Sequence, residues 1–371
     1  MNLVRRKTKV VKIGTIAIGG NNPIAIQSMA KTLTADTEAT GRQLCALEEA
    51  GCEIVRVAVK NSRDARAIKE IKKRIRIPLV ADIHFNWRLA IEAIENGADK
   101  IRLNPGNINK AGELRCVVSA LKQAHIPLRV GVNSGSVEKA HTRKKTMAEK
   151  LAAGCMEYVR RLEKMKFYDI VISLKASTVK DTVEAYRQVS RVCDYPMHLG
   201  VTATGAPGQG VIKSAIACGI LLAEGIGDTL RISLTDKPQE EVAAAKAILA
   251  ALEIRHFGPE IISCPTCGRC EVDLVTLVKQ MESKLAVIGY PCRKAGCRQA
   301  GASAPPVKLA IMGCVVNGPG EAREADIGVA FGKKDGLFFK LGKPVRKVGI
   351  RQCQDLLLKE TTKFYDAPVK K

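Results

Sequence analysis

The sequence predicts an α/β protein: an N-terminal (β/α)8 barrel of the TIM type over residues 1–255, then a small α+β domain over 256–371. Three observations predict it. Residues 20 to 235 repeat one rhythm, a short β-branched run, a polar tip and a helix-length segment. The apolar fraction is an ordinary 46% but aromatics are only 4%, so the core is aliphatic, as suits parallel strands buried on both faces. After Arg255 the composition changes to clustered cysteines, Gly/Pro loops and a few short strands.

The strand-like runs are Pro23–Met29, Glu53–Val59, Pro78–Ile83, Asp99–Leu103, Pro127–Val132, Asp169–Leu174, Met197–Val201 and Thr229–Leu234. Helical periodicity fills the gaps, as at Ala39–Ala50, Arg63–Ile75, Trp87–Asn96 and Glu113–His125. Gly51, Gly97 and Gly225 fall where helices should end. Eight such units favour a closed barrel over an open doubly wound sheet. An open sheet of the dinucleotide-binding kind would carry its Gly-rich turn after the first strand, whereas Gly19-Gly20 precedes it. In the second domain the runs Val307–Met312, Ile327–Phe331 and Leu337–Leu341 read as strands.

The polar residues expected just past the strands are Gln27/Ser28, Arg56, Asp82/His84, Arg102/Asn104, Arg129/Asn133, Lys175, Thr202 and Ser233. A closed barrel brings strand ends to one face, where its chemistry takes place. Four cations there (Arg56, Arg102, Arg129, Lys175) would repel one another unless an anion sat among them, which points to a phosphate-bearing substrate. The bland reading is cations that snorkel or pair with acids. The stretch from Gly205 to Ser214 has glycines and Lys213 but not the nucleotide P-loop spacing. It reads as a flexible loop entering a helix, with backbone N–H groups suited to phosphate.

The formal net charge of +23 admits a nucleic-acid partner, but the basic residues are spread along the chain and no aromatics alternate with them. No apolar leader follows the basic start, and the longest apolar stretch, Ser214 to Ala223, is far short of the ~20 residues of a spanning helix. The expectation is a protein with no membrane segment. Thirteen cysteines without a leader indicate a reducing compartment, the cytoplasm, and thiols that stay reduced or bind metal.

Cys264-Pro265-Thr266-Cys267 is a C-x2-C turn, which fits zinc, iron–sulfur or a redox dithiol. Cys314 follows in Met312-Gly313-Cys314-Val315-Val316-Asn317-Gly318-Pro319-Gly320-Glu321. Three thiolates and a carboxylate, Glu321, would suit a cluster with one iron on a harder, more exchangeable ligand. Two bland readings stand beside this: a buried Cys314, and a Glu321 that merely favours a helix N-terminus. Cys270, Cys292 and Cys297 either complete a zinc site with the first pair or are incidental. Cys45, Cys52, Cys116, Cys155, Cys193, Cys218 and Cys353 read as packing residues.

These residues resemble the bacterial-type 4-hydroxy-3-methylbut-2-enyl diphosphate synthases of the non-mevalonate isoprenoid pathway. The resemblance spans nearly the whole chain and is carried by Ile24-Ala25-Ile26-Gln27-Ser28-Met29, Val80-Ala81-Asp82-Ile83-His84-Phe85, Arg102-Leu103-Asn104-Pro105-Gly106-Asn107-Ile108 and Glu224-Gly225-Ile226-Gly227-Asp228-Thr229. The Cys264-to-Arg269 and Met312-to-Glu321 stretches look like the family's cluster motifs.

The resemblance implies two-electron reductive opening of 2-C-methyl-D-erythritol 2,4-cyclodiphosphate with loss of water. It implies substrate contacts at Arg56, Arg102, Arg129, Asn133, Lys175 and Ser233. A [4Fe–4S] cluster would be held by Cys264, Cys267, Cys314 and Glu321 in the second domain, with Glu321 also catalytic. The electron donor would be flavodoxin or ferredoxin, acidic proteins that the positive charge would attract. The form implied is a homodimer in which one subunit's cluster domain closes over the other's barrel, without the plastid-type insert.

Two departures stand out. The family's Thr-Glu-Ala-Gly, whose Glu is a proposed proton donor, is here Thr202-Ala203-Thr204-Gly205, and the segment between Cys267 and Cys314 is longer than usual. Two other readings compete: a non-redox barrel transferase acting on a pterin-like diphosphate with a zinc-stapled tail, and a basic nucleic-acid-binding zinc protein.

Overall fold

The structure is a computed structural model that describes residues 4–108, 110–136, 146–287 and 306–366. The chain divides into two compact units between Ile254 and Arg255. No helix among the described residues is long and apolar enough to cross a membrane.

The first unit opens with a hairpin, β1 (Val11–Ile13) and β2 (Ile16–Ile18). Eight strands then alternate with eight helices: β3 (Ala25–Met29), α1 (Thr37–Glu49), β4 (Ile54–Val59), α2 (Ser62–Lys72), β5 (Leu79–Ile83), α3 (Trp87–Glu95), β6 (Lys100–Leu103), α4 (Ala111–Ala124), β7 (Leu128–Asn133), α5 (Met147–Lys164), β8 (Ile170–Lys175), α6 (Val179–Ser190), β9 (His198–Leu199), α7 (Pro207–Ala223), β10 (Thr229–Leu230) and α8 (Pro238–Ala251). The strands are parallel in the order β8-β7-β6-β5-β4-β3-β10-β9, and a parallel bridge from Ile172 to Met197 joins the two ends into a barrel.

Local chemistry sets the helix boundaries. Asp36, Asn61, Asn86 and Thr178 accept from the first-turn amides of α1, α2, α3 and α6, and Thr146 with Glu149 forms a reciprocal capping box on α5. Gly51 and Gly97 end α1 and α3 with φ of 86° and 92°, a conformation that glycine adopts without Cβ strain.

Two of the predicted strands are shorter than expected. Beyond Arg231, whose N–H still reaches the Leu199 carbonyl, side chains hold the backbone: Leu234 N donates to Glu241 Oε1 (3.2 Å), and the Ser233 carbonyl accepts from Thr204 Oγ1. Before β9, Met197 N is likewise held by Asp228 Oδ2 (2.8 Å). The β1–β2 hairpin, absent from the sequence reading, stoppers the N-terminal mouth of the barrel. Val11, Ile13 and Ile18 pack there against Ala25, Ile54, Val80 and Val171 from the starts of four strands.

The second unit is a five-stranded mixed sheet, β11 (Glu260–Ser263), β12 (Lys308–Met312), β13 (Ile327–Phe331), β14 (Asp335–Lys340) and β15 (Lys343–Gly349), in that spatial order. The first three are parallel and the last two antiparallel. Period-two alternation sorts its side chains. Leu309, Ile311, Ile327, Val329 and Phe331 face α9 (Leu274–Val287) and α11 (Ile350–Asp366), while Ala310, Met312 and Ala330 face the short α10 (Gly318–Arg323). That second face is built small. A Cβ on Gly318 would lie 2.8 Å from the Met312 Cβ, so α10 lies close on the sheet.

Candidate active site and metal centre

The predicted cations lie within the strands, not past their ends. Arg56 is mid-β4, Arg102 is in β6, Arg129 is the second residue of β7, and Lys175 ends β8. All four are buried. They share the barrel interior with Lys100 and with His198, which the sequence reading passed over; Arg231, also overlooked, is half-buried beside Ser233. Period two was the available signal, because Lys100 stands two residues before Arg102, and Arg231 two before Ser233.

The acids that these cations meet in ion pairs are Asp82 and Glu241. Asp82 Oδ1 accepts from Arg102 Nη1 at 3.1 Å, and its Oδ2 lies 3.8 Å from Arg56 Nε and 4.0 Å from His84 Nε2. Burial pushes the Asp82 carboxyl upward, but Arg56, Arg102 and Arg129 together outweigh it and hold the group below its ordinary range. Glu241 receives Arg231 through both oxygens (3.0 and 3.1 Å) and accepts from Ser28 Oγ at 2.9 Å.

The remaining donors are poorly matched. Arg56 points Nε and Nη2 at the Met29 thioether (3.0 and 2.7 Å), a weak acceptor. Lys100 Nζ, Arg129 Nε and Nη1, and Arg102 Nε are buried and have no hydrogen-bond partner among the described residues. Burial, then mutual repulsion, lowers Lys100, Arg129 and Lys175 well below their ordinary values, and burial, opposed by Asp82, brings Arg56 down to about 10. Two like charges 4 Å apart repel by about 4 kcal/mol at an effective dielectric of 20, so an anion among these groups relieves a large strain.

Two glycines make room for these side chains. A Cβ on Gly131 would come within 2.5 Å of Arg102 Nε, and one on Gly200 within 2.8 Å of Lys175 Nζ. Lys175 Nζ also lies 3.4 Å from His198 Nε2, and His198 Nδ1 lies 2.7 Å from Thr229 Oγ1. Burial, then Arg129 and Lys175, depress His198, so the ring is a neutral partner for the lysine. Asn133 stands opposite Lys175 in the β7–β8 register, and Ser233 Oγ accepts from Arg231 Nη1 at 2.7 Å. The Gly205–Ser214 stretch corrects its prediction: α7 starts at Pro207, and Gly210 packs near Leu234 and the Thr204–Gly205 turn. Ala203, in the turn before it, has φ 53°.

In the second unit Cys264 follows β11 and Cys314 follows β12, so parallel pairing brings both thiols to one end of the sheet. Gly313 N donates to Cys264 Sγ at 3.4 Å. Backbone N–H groups of Asn317 and Val316, with Gly318, lower the Cys314 thiol toward the thiolate that a metal needs. Cys267 is exposed, and Glu321 is exposed in the first turn of α10. Cys270 lies beside Gly313, its Sγ donating to the Val272 carbonyl at 3.2 Å. Among the described residues no three such side chains converge tightly enough for a single metal ion. The thiol donors of the two loops suit an iron–sulfur cofactor, which Cys thiolates hold. Cys292 and Cys297 lie outside the described residues. Of the cysteines read as packing, Cys52, Cys155, Cys218 and Cys353 are buried, Cys45 and Cys193 are half-buried, and Cys116 is exposed.

The GcpE TIM-barrel domain model matches residues 8–246, and the GcpE protein C-terminal domain model matches 260–363. The chain belongs to the GcpE family. Among its relatives is the 4-hydroxy-3-methylbut-2-en-1-yl diphosphate synthase (flavodoxin) of Fusobacterium nucleatum, 52% identical over 93% of this chain and 94% of that one. Proteins of the same name from Caldanaerobacter subterraneus (50% identical; 97% and 98% covered) and Geobacillus thermodenitrificans (48%; 97% and 93%) are similar throughout. As a GcpE chain the protein is an enzyme, an oxidoreductase of isoprenoid biosynthesis. The solved dihydropteroate synthase of Stenotrophomonas maltophilia resembles the GcpE barrel with a TM-score of 0.51 at 15% identity, covering 67% of this chain and all of that one. That likeness is one of fold. The pterin-transferase and nucleic-acid readings find no support beside relatives that are half identical.

Proposed function

We propose that the barrel cations hold the diphosphate of 2-C-methyl-D-erythritol 2,4-cyclodiphosphate while the second unit carries the electron-transfer centre. The reaction is that of the GcpE family: two-electron reductive ring opening to 4-hydroxy-3-methylbut-2-en-1-yl diphosphate, with loss of water. The observation that carries the assignment of substrate to barrel is the buried set Arg56, Lys100, Arg102, Arg129 and Lys175, with Asp82 as its one ion-pairing acid among the described residues.

In this reading Arg56 exchanges the Met29 sulfur for a phosphoryl oxygen, and Arg102 keeps Asp82 while turning Nε to the ligand. Arg129, Asn133, Lys175 and Ser233 complete the substrate contacts. Ring opening converts an ester oxygen into terminal phosphate charge, so the same cations favour product-like states along the reaction. The His198 imidazole orients Lys175.

We assign a [4Fe–4S] cluster to Cys264, Cys267, Cys314 and Glu321. When bound, it supplies the substrate with electrons one at a time. The N–H groups around Cys314 hold its thiolate, and Glu321 is the exchangeable ligand. The proposal extends to a flavodoxin donor, which the relatives' names carry, and to a homodimer.

Anaerobic turnover of the cyclodiphosphate with a reduced donor is the test, together with roughly four iron and four sulfide per chain. Colourless protein with stoichiometric zinc and no turnover would overturn the reading.

A further inference from the structure

The hairpin that joins β13 to β14 and the edge strand β15 carry an excess of positive charge. Lys333, Lys334, Arg346 and Lys347 are all exposed there, and the acid among them is Asp335, 3.6 Å from Lys347. Residues Lys343 to Lys347 are exposed at five successive positions, so β15 shows both faces to solvent, and no described strand pairs with its outer edge.

Register places this charge near the thiols. β14 starts where β13 ends, and Gly349 of β15 stands opposite Asp335, so the hairpin and the end of β15 share the sheet end that bears Cys264 and Cys314. A Cβ on Gly332 would lie 3.4 Å from Cγ1 of Val315, the residue after Cys314. The span from β12 to β15 is three strand spacings, roughly 14 Å.

We propose that this basic margin is the docking site for the acidic one-electron carrier, a flavodoxin, that feeds the metal centre. The inference rests on the function proposed above and names where its donor binds. An acidic surface around the carrier's flavin meets Lys333, Lys334, Arg346 and Lys347, and this attraction steers encounter and sets orientation. Two encounters serve one turnover, each oxidising one carrier by one electron. The plainer reading is that lysines on an edge strand only prevent sheet-to-sheet association. It accounts for β15 but not for Lys333 and Lys334, which sit in a turn beside the Cys314 loop.

The test compares two donors on the reconstituted holoenzyme. In K333E/K334E/K347E the flavodoxin concentration for half-maximal turnover should rise about tenfold or more, and its dependence on salt between about 20 and about 300 mM should flatten. Turnover driven by reduced methyl viologen, a small diffusing donor, should stay within about twofold, with the visible absorbance of the cluster retained. The neutralised variant K333Q/K334Q/K347Q should show a smaller shift in the same direction. Unchanged flavodoxin kinetics in both variants would overturn the proposal, as would an equal loss with both donors, which would assign these residues to fold or cluster. Calorimetric binding of oxidised flavodoxin needs no turnover. Wild-type protein that binds the carrier but does not turn over the cyclodiphosphate with either donor would sink the proposed reaction and leave the docking site standing.

Discussion

Arg102 lies across the backbone of Gly131: its Nη2 donates to the Gly131 carbonyl at 3.0 Å, and a Cβ on that glycine would come within 2.5 Å of Nε. The glycine is the space in which the guanidinium turns toward both Asp82 and the barrel interior. Gly131→Ala should therefore displace Arg102 without unfolding the barrel. The expected result is a fall in kcat/KM of tenfold or more, about 1.4 kcal/mol, with a melting temperature close to wild type. Normal kinetics in the alanine variant would show that Arg102 does not need this position.

Arg56→Ala, Arg102→Ala and Arg129→Ala should each weaken substrate binding by about 1.5–3 kcal/mol, the range for a hydrogen bond to a charged group. The visible spectrum of the cluster should be unaffected. Calorimetry on each variant separates these outcomes, and unchanged affinity in all three would remove the phosphate site.

Lys100 and Lys175 are depressed well below the ordinary lysine value by burial and by neighbouring cations. A bound diphosphate reverses the second cause and raises both. Between the free and bound values, ligand binding must take up protons. Titration calorimetry with the cyclodiphosphate, whose two phosphoryl groups are diesters already fully ionised near neutral pH, in buffers of differing ionisation enthalpy should record net proton uptake. Net release would mean that these amines are already charged.

The same depression has a sign for stability. His198 resists protonation in the folded barrel, whereas in the unfolded chain it titrates near its ordinary value of about 6.5. Below that value the unfolded state binds the extra proton, so stability should fall as pH drops from about 6.5, by up to ~1.4 kcal/mol per unit for this group. His198→Gln should flatten that limb of the denaturation midpoint against pH. An unaltered slope would place the acid sensitivity elsewhere.

Cys314→Ser should lose the cluster, because it removes the thiolate that the Asn317 and Val316 amides stabilise, whereas Glu321→Ala should keep a less stable cluster and lose most turnover. Iron content and visible absorbance decide between them. If Glu321→Ala is fully active and Cys270→Ser is colourless, the proposed ligand set is wrong.

Much of the barrel was legible because strands buried on both faces must be continuous aliphatic runs, and β5 and β8 are buried at every position. The β1–β2 hairpin was not, because two three-residue strands carry too little periodicity to be seen. β15 was missed for a different reason: Lys-Pro-Val-Arg-Lys has the composition of a loop, and only pairing with β14 makes it a strand. The cations were identified, but their depth was not. A charged residue in a strand suggests an exposed tip, and Arg129 is instead 1% exposed near the start of its strand. Lys100 and His198 were hidden by the same assumption. The two cysteine loops could be read separately, but their approach through Gly313 depends on β11 and β12 being parallel neighbours.

The stoppered N-terminal end has a kinetic meaning. With Val11, Ile13 and Ile18 filling that end, the proposed substrate site can be entered only from the C-terminal side of the barrel. Everything that enters must leave by the way it came, including the water released and a product more highly charged than the substrate. Under the proposed function, the cations that draw the ring in also hold the opened chain back. Emptying the site, and not the arrival of substrate, then becomes the step that rising salt should accelerate.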